Sequence, residues 1–187
     1  MFCINRAKLE FMGEIRALWE QHGTWTMMAI TSIVFRLPNE TNVVQRLLRN
    51  PVDFRRALAP FYGEIAAANF ERLLAEHLTL AADLIKAIMA GDTNSAAIIE
   101  RRWYRNAEEI AVFLSSINPF WSRDAWRNML FEHLGYVKSI AVNMINGNYA
   151  ASVRVSDDYE AQILEMAEMM SQGIIRQFPR KFTSLRE

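Results

Sequence analysis

Apolar residues recur at three- and four-residue intervals along most of this chain, the spacing that gathers them on one face of an α-helix. The first stripe, Ile15, Leu18, Trp19, Trp25, Ala29 and Ile33, has His22 inside it. It predicts a helix from about Ala7 to Phe35, ending before Leu37-Pro38 because the residue preceding a proline is pushed out of helical geometry. Four further stripes predict helices over about Pro60–Ala90, Thr93–Ile117, Arg123–Asn146, and from Ala150 or Ser156 to Phe178. Between 40 and 63 the pattern is broken. VVQRLLRN reads as a short helix stopped by Pro51, with another turn or two at Phe54–Leu58. No alternating strand pattern occurs, so the expected fold is an all-α antiparallel up-down bundle of about five long helices plus a short broken one.

The stripes also repeat. Leu73–Ile88 carries Glu76-His77, Met129–Ile145 carries Glu132-His133, and a looser version near Leu18 carries Glu20 and His22. These histidines, the only three in the chain, follow one another at a nearly constant interval. A shift of 56 maps His77 onto His133, Gly91-Asp92 onto Gly147-Asn148, Asn106 onto Gln162 and Glu109 onto Glu165. A fixed period of this size marks a repeated structural unit. The unit here is a helical hairpin, the third helix with the fourth and the fifth with the sixth, and the first segment is a degraded third copy.

Composition narrows the class. A length of 187 residues suits one domain, 1–187, ending in a basic tail from 179. Lys+Arg and Asp+Glu both total 21, so there is no electrostatic footprint for nucleic acid. No apolar run reaches the roughly 20 residues of a membrane span, and no signal peptide is legible. The lone Cys3 excludes an internal disulfide framework. These features lead us to expect a cytoplasmic protein with no membrane or nucleic-acid partner, and a homodimer as a candidate assembly. Phosphate loops, dinucleotide fingerprints and nucleophile elbows are absent. No catalytic residue or small-molecule substrate can be named.

What chemistry remains lies in the stripes. His77 precedes the Gly91 turn by almost the same length of helix as Asn106 follows it, so the two are nearly level. Pseudo-symmetry puts His133 level with Gln162. His22 precedes Pro38 by a similar length and reaches the same height. Imidazoles with one or two carboxylates suit Zn²⁺, Fe, Mn²⁺ or Ni²⁺ held between facing helices. The candidate ligands are therefore His22, His77 and His133 with Glu109 or Glu165. Asn106 and Gln162 are candidates to hold the second ring nitrogens. Glu20, Glu76 and Glu132 fall off the stripes and should face solvent. The alternative is a non-catalytic interaction or structural bundle whose histidines form a buried, hydrogen-bonded, pH-sensitive layer. A weaker third reading uses Trp19, Trp25, Trp103 and Tyr136 as an aromatic small-molecule site.

The stretches LWEQHGTWTMMAITSIVF, LLRNPVDFRRALAPFYG, RRWYRNAEEIAVFLSSINPFW, MLFEHL and GIIRQFP resemble an uncharacterised all-helical bacterial family, from about Leu18 to Pro179. Its relatives sometimes carry the label acetylglutamate kinase. Met27 stands where that resemblance implies an arginine. In architecture the bundle is similar to ferritin-like and DinB-like metal-binding bundles. It has adjacent Glu-His in place of the ferritin-like Glu-x-x-His, and no histidines four residues apart.

Overall fold

The computed structural model describes residues 5–183. Cys3 and residues 184–187 of the basic tail lie outside the described residues. The described residues form six α-helices: α1 (Arg6–Val34), α2 (Glu40–Leu47), α3 (Asn50–Met89), α4 (Thr93–Ile117), α5 (Arg123–Ile145) and α6 (Tyr149–Gln177). A 3-10 turn, Pro179–Phe182, follows. Among the described residues there is no strand. The five long helices close a ring: α1 packs on α3, α3 on α4, α4 on α5, α5 on α6, and α6 back on α1. No described helix is long and apolar enough to cross a membrane.

Local signals account for most boundaries. Asp92 and Ser122 cap α4 and α5 by accepting the backbone N–H of Ser95 (2.9 Å) and Ala125 (3.3 Å). At the other end, α1, α3 and α5 all finish in the same way. Arg36, Gly91 and Gly147 adopt φ of 50°, 70° and 74°. The next N–H in each case, that of Leu37, Asp92 and Asn148, reaches back to Ser32, Ala87 and Asn143 carbonyls at 2.9, 3.1 and 2.8 Å. This left-handed closure satisfies carbonyls that a helix end would otherwise orphan. The three turns are spaced like the three histidines, and each follows its histidine at the same interval.

Residues 40–63 differ from expectation. Pro51 does not stop a helix; it occupies the first turn of α3, where its missing N–H costs no intrahelical bond. The segment then runs helically through Pro60 to Gly63. There φ 78° and ψ 164°, a glycine-only conformation, kink α3 into arms 50–62 and 64–89. The first arm, with α2, is the second half of hairpin one. The second arm pairs with α4, and α5 pairs with α6. The third copy is thus structurally complete, although its returning helix is broken after Leu47.

The apolar stripes meet inside the ring, where Ile15, Phe54, Leu114, Trp126, Ile140 and Met170 are sealed from water. Each aliphatic or Phe side chain so buried contributes about 1.5–3 kcal/mol. One end of the ring is tied by polar bonds. Asn118 Nδ2 donates to the Tyr62 hydroxyl (2.8 Å), which donates to Gln177 Oε1 (3.1 Å), and Gln177 Nε2 donates to Ile117 O (3.0 Å). Asn5 Nδ2 donates to Phe182 O, and the Phe11 and Phe182 rings meet at 5.1 Å, so the beginning of α1 lies beside the end of the 3-10 turn.

Candidate functional site: a histidine–amide layer

His22, His77 and His133 are 2%, 3% and 2% exposed, each in the apolar stripe of the outgoing helix of its hairpin. In two of the three hairpins an amide from the returning helix meets the histidine. Asn106 Oδ1 lies 2.8 Å from His77 Nδ1, while Asn106 Nδ2 donates to Leu73 O at 3.1 Å. Asn50 repeats the arrangement, with Oδ1 3.3 Å from His22 Nδ1 and Nδ2 donating to Leu18 O at 2.9 Å. In both, the carbonyl is the one four residues before the histidine. Gln162 donates to Met129 O at 3.2 Å, again four residues before its histidine. The amides Asn50, Asn106 and Gln162 themselves recur at one constant interval, the period of the repeat.

This bonding settles the proton. Because each asparagine NH₂ is committed to a carbonyl, its oxygen faces the ring, so His22 and His77 must donate through Nδ1–H. A neutral ring with hydrogen on Nδ1 keeps its lone pair on Nε2. Burial holds the rings neutral. It pushes His22 down to about 4, helped by repulsion from His77 and opposed by the Asn50 bond. Burial likewise pushes His77 down to about 4 against the Asn106 bond. His133 is driven well below its ordinary value, by burial first and then by His22 and His77.

The third station is looser. Gln162 is one methylene longer, and its NH₂ is shared between Met129 O and Glu132 Oε2 (2.9 Å). Although Gln162 is near enough to favour the His133 proton, His133 Nδ1 and Gln162 Oε1 do not meet in hydrogen-bonding geometry, and both are buried without partners. The same is true of Thr26 Oγ1, the Tyr159 hydroxyl and the indole N–H groups of Trp19, Trp103 and Trp126. Several of these side chains surround the layer. Trp19 lies 5.5 Å from His22, Trp103 5.5 Å from His77 and Tyr159 5.0 Å from His133, between ring centroids. Native interiors leave few buried polar groups unpaired, and water or an ion commonly answers them.

His22 and His133 face one another with centroids 5.6 Å apart. The two rings are tilted 38° to one another. His77 makes its ring contact with Trp103 instead. Among the described residues, no group of three or more His, Cys, Asp or Glu is already spaced to hold an ion.

The carboxylates expected at the layer are elsewhere. The Glu109 side chain is 50% exposed and lies 3.8 Å from Arg105 in a surface ion pair, and Glu165 is also exposed. Both sit at the edge of their stripes, where a carboxylate has a route to water and no reason to lose its hydration. Glu20 and Glu132 are exposed as expected, and Glu76 is half-buried near Arg72 and Arg102. Asn106 and Gln162 fall where the repeat puts them. Asn50 was missed, yet a shift of 56 back from Asn106 lands on it. Of the aromatics, Trp19 and Trp103 join the layer, whereas Tyr136 bonds to Glu132 at the surface and Trp25 stacks beneath the Arg46 guanidinium.

The fold and layer together define a three-hairpin all-α bundle with three buried histidines, in keeping with an all-helical family. Scans of protein families, curated proteins and solved structures find no match to the chain.

Proposed function

We propose that the chain binds one divalent transition-metal ion (Zn, Fe, Mn or Ni) through Nε2 of His22, His77 and His133. The observation that carries this reading is the asparagine bridge. It fixes ring orientation and tautomer at two of three equivalent stations and turns the unprotonated nitrogen away from its only partner. Carboxylates, carbonyls and amides commonly hold a metal-bound histidine in this manner. The donor set fits the borderline-soft ions, which take neutral imidazole readily. The three rings would hold the ion through Nε2, and it would supply a Lewis acid there. Glu109 and Glu165 take no part.

Protein purified without an affinity tag and dialysed against each ion is expected to hold about one equivalent, lost when His22 and His133 are both replaced by Gln. Cobalt absorbance supplies a second readout of nitrogen coordination. Substoichiometric metal in the wild type, or an equivalent retained by a folded double variant, sinks the reading. The second reading, a structural hydrogen-bonded layer, is favoured by the completeness of the Asn106 bridge, which needs no ion. It predicts no metal and a stability that depends on pH.

A further inference from the structure

On the outside of the bundle, antiparallel α1 and α6 leave a groove between them. Two clefts lie in it, of about 320 and about 260 Å³, and Leu164 lines both. On α1 the lining positions advance through Leu9, Gly13, Arg16, Glu20, Thr24 and Met27, in steps of three and four that keep to one helix face. At about 1.5 Å per residue they extend over about 27 Å. Leu9 near one end of the groove and Val153 near the other are exposed. Gly13 weakens α1 from within, yet nothing approaches within 4 Å of a carbon added there. Gly23 differs, because its added carbon would overlap Ile163 Cδ1. Packing inside the chain thus explains Gly23 and leaves the gap at Gly13 for something laid in from outside.

The rim is acidic. Between Arg154 and Arg176, α6 carries five carboxylates and no Lys or Arg. Glu160 and Glu168 line the clefts, and Asp157, three turns before Glu168, falls on the same side of α6. None of these three makes an ion pair among the described residues. Arg16 in the opposite wall is matched by Glu20 at 3.1 Å.

We propose that the α1–α6 groove docks an amphipathic helix of a partner protein, about 18 residues long, with one apolar stripe flanked by Lys and Arg. Both walls are helices whose backbone groups are bonded internally, so neither can pair with an added strand. The occupant must satisfy its own backbone, as a helix does. Unpaired carboxylates on the rim favour basic flanks and repel the phosphates of nucleic acid and acidic lipid. A second copy of this chain has no described helix free for the role, since each of α1–α6 already buries apolar residues in the bundle. The docking does not depend on a metal at the histidines.

The test uses three labelled peptides of about 18 residues: a Leu-striped helix with Lys flanks, the same helix with Glu flanks, and a scramble of the first. Fluorescence anisotropy reads their affinity for the wild type, Gly13→Leu and Glu160→Lys/Glu168→Lys. The wild type is expected to prefer the Lys-flanked helix to both other peptides by about tenfold or more. Gly13→Leu should lose about tenfold or more of that affinity by filling the groove, while melting no lower than wild type because leucine is the better helix former. The charge reversal should exchange the preference for the two flanks. A scramble that binds as well as the striped helix, or full affinity in Gly13→Leu, overturns the proposal. A wild-type dimer in sedimentation that Gly13→Leu converts to monomer gives the groove to a second copy and overturns the partner helix.

Discussion

Replacing Asn106 by alanine removes the 2.8 Å acceptor of His77 Nδ1–H and the 3.1 Å donor to Leu73 O. Leu73 O retains its helical bond from the residue 77 amide, so its loss is the modest net value of one hydrogen bond, about 1 kcal/mol. The ring is left worse off. A buried donor stripped of its acceptor costs about 1–3 kcal/mol, and no water reaches a ring that is 3% exposed. The two losses together come to about 2–4 kcal/mol. The equivalent change at Asn50 breaks a longer bond of 3.3 Å and should cost less. Gln162→Ala should cost least, about 1 kcal/mol, because His133 Nδ1 is already unpartnered. Urea unfolding at pH 7 in the presence of a chelator reads all three, provided the denaturant slopes agree. The expected order of destabilisation is Asn106, then Asn50, then Gln162. A Gln162→Ala protein as unstable as Asn106→Ala, or Asn106→Ala within 0.5 kcal/mol (roughly the surface-substitution range) of wild type, would refute the reasoning.

In the unfolded chain His22 and His77 protonate below about 6.5, but in the fold only below about 4, so between those values unfolding takes up protons. Metal-free stability should therefore be level above pH 6.5 and fall as pH drops toward 4, by up to about 1.4 kcal/mol per pH unit for each ring. Urea midpoints between pH 7.5 and 4.5 check this, with a shallower fall in His77→Gln; a flat wild-type profile would contradict it. At the turns, Arg36→Gly should stabilise by a few tenths to about 1 kcal/mol, because a φ of 50° is strained for arginine and free for glycine. Gly63→Ala should destabilise by about 1–3 kcal/mol, although no atom lies within 4 Å of the added carbon. Thermal melts with the two shifts in the same direction would overturn the assignment of strain to the backbone.

Long stripes were legible in the sequence, and α4 and α5 span nearly the ranges that the periodicity predicts. Residues 40–63 were not, because a proline can open a helix as well as end one. Pro51 opens α3, and the break that Pro60 suggested occurs three residues later at Gly63. Missing that helix hid Asn50, and with it the completeness of the first hairpin. The histidines were legible because an apolar stripe defines an inward direction without ambiguity. Glu109 and Glu165 were not, because a stripe's edge allows either side, and solvation decided. The tight His77–Asn106 pair and the slack His133–Gln162 pair were beyond reach of pattern alone, since one methylene separates them.

The adjacency of Asn5 and Phe182 bears on how freely this chain can be re-cut. Where the first and last described elements meet and the connections between like units are interchangeable, the order of the units along the chain is not itself a structural requirement. A circularly permuted chain, joined near 5 and 182 and opened in the 118–122 connection, would present the same three hairpins in rotated order around the same ring. The histidine layer belongs to that ring rather than to any one reading order of the polypeptide.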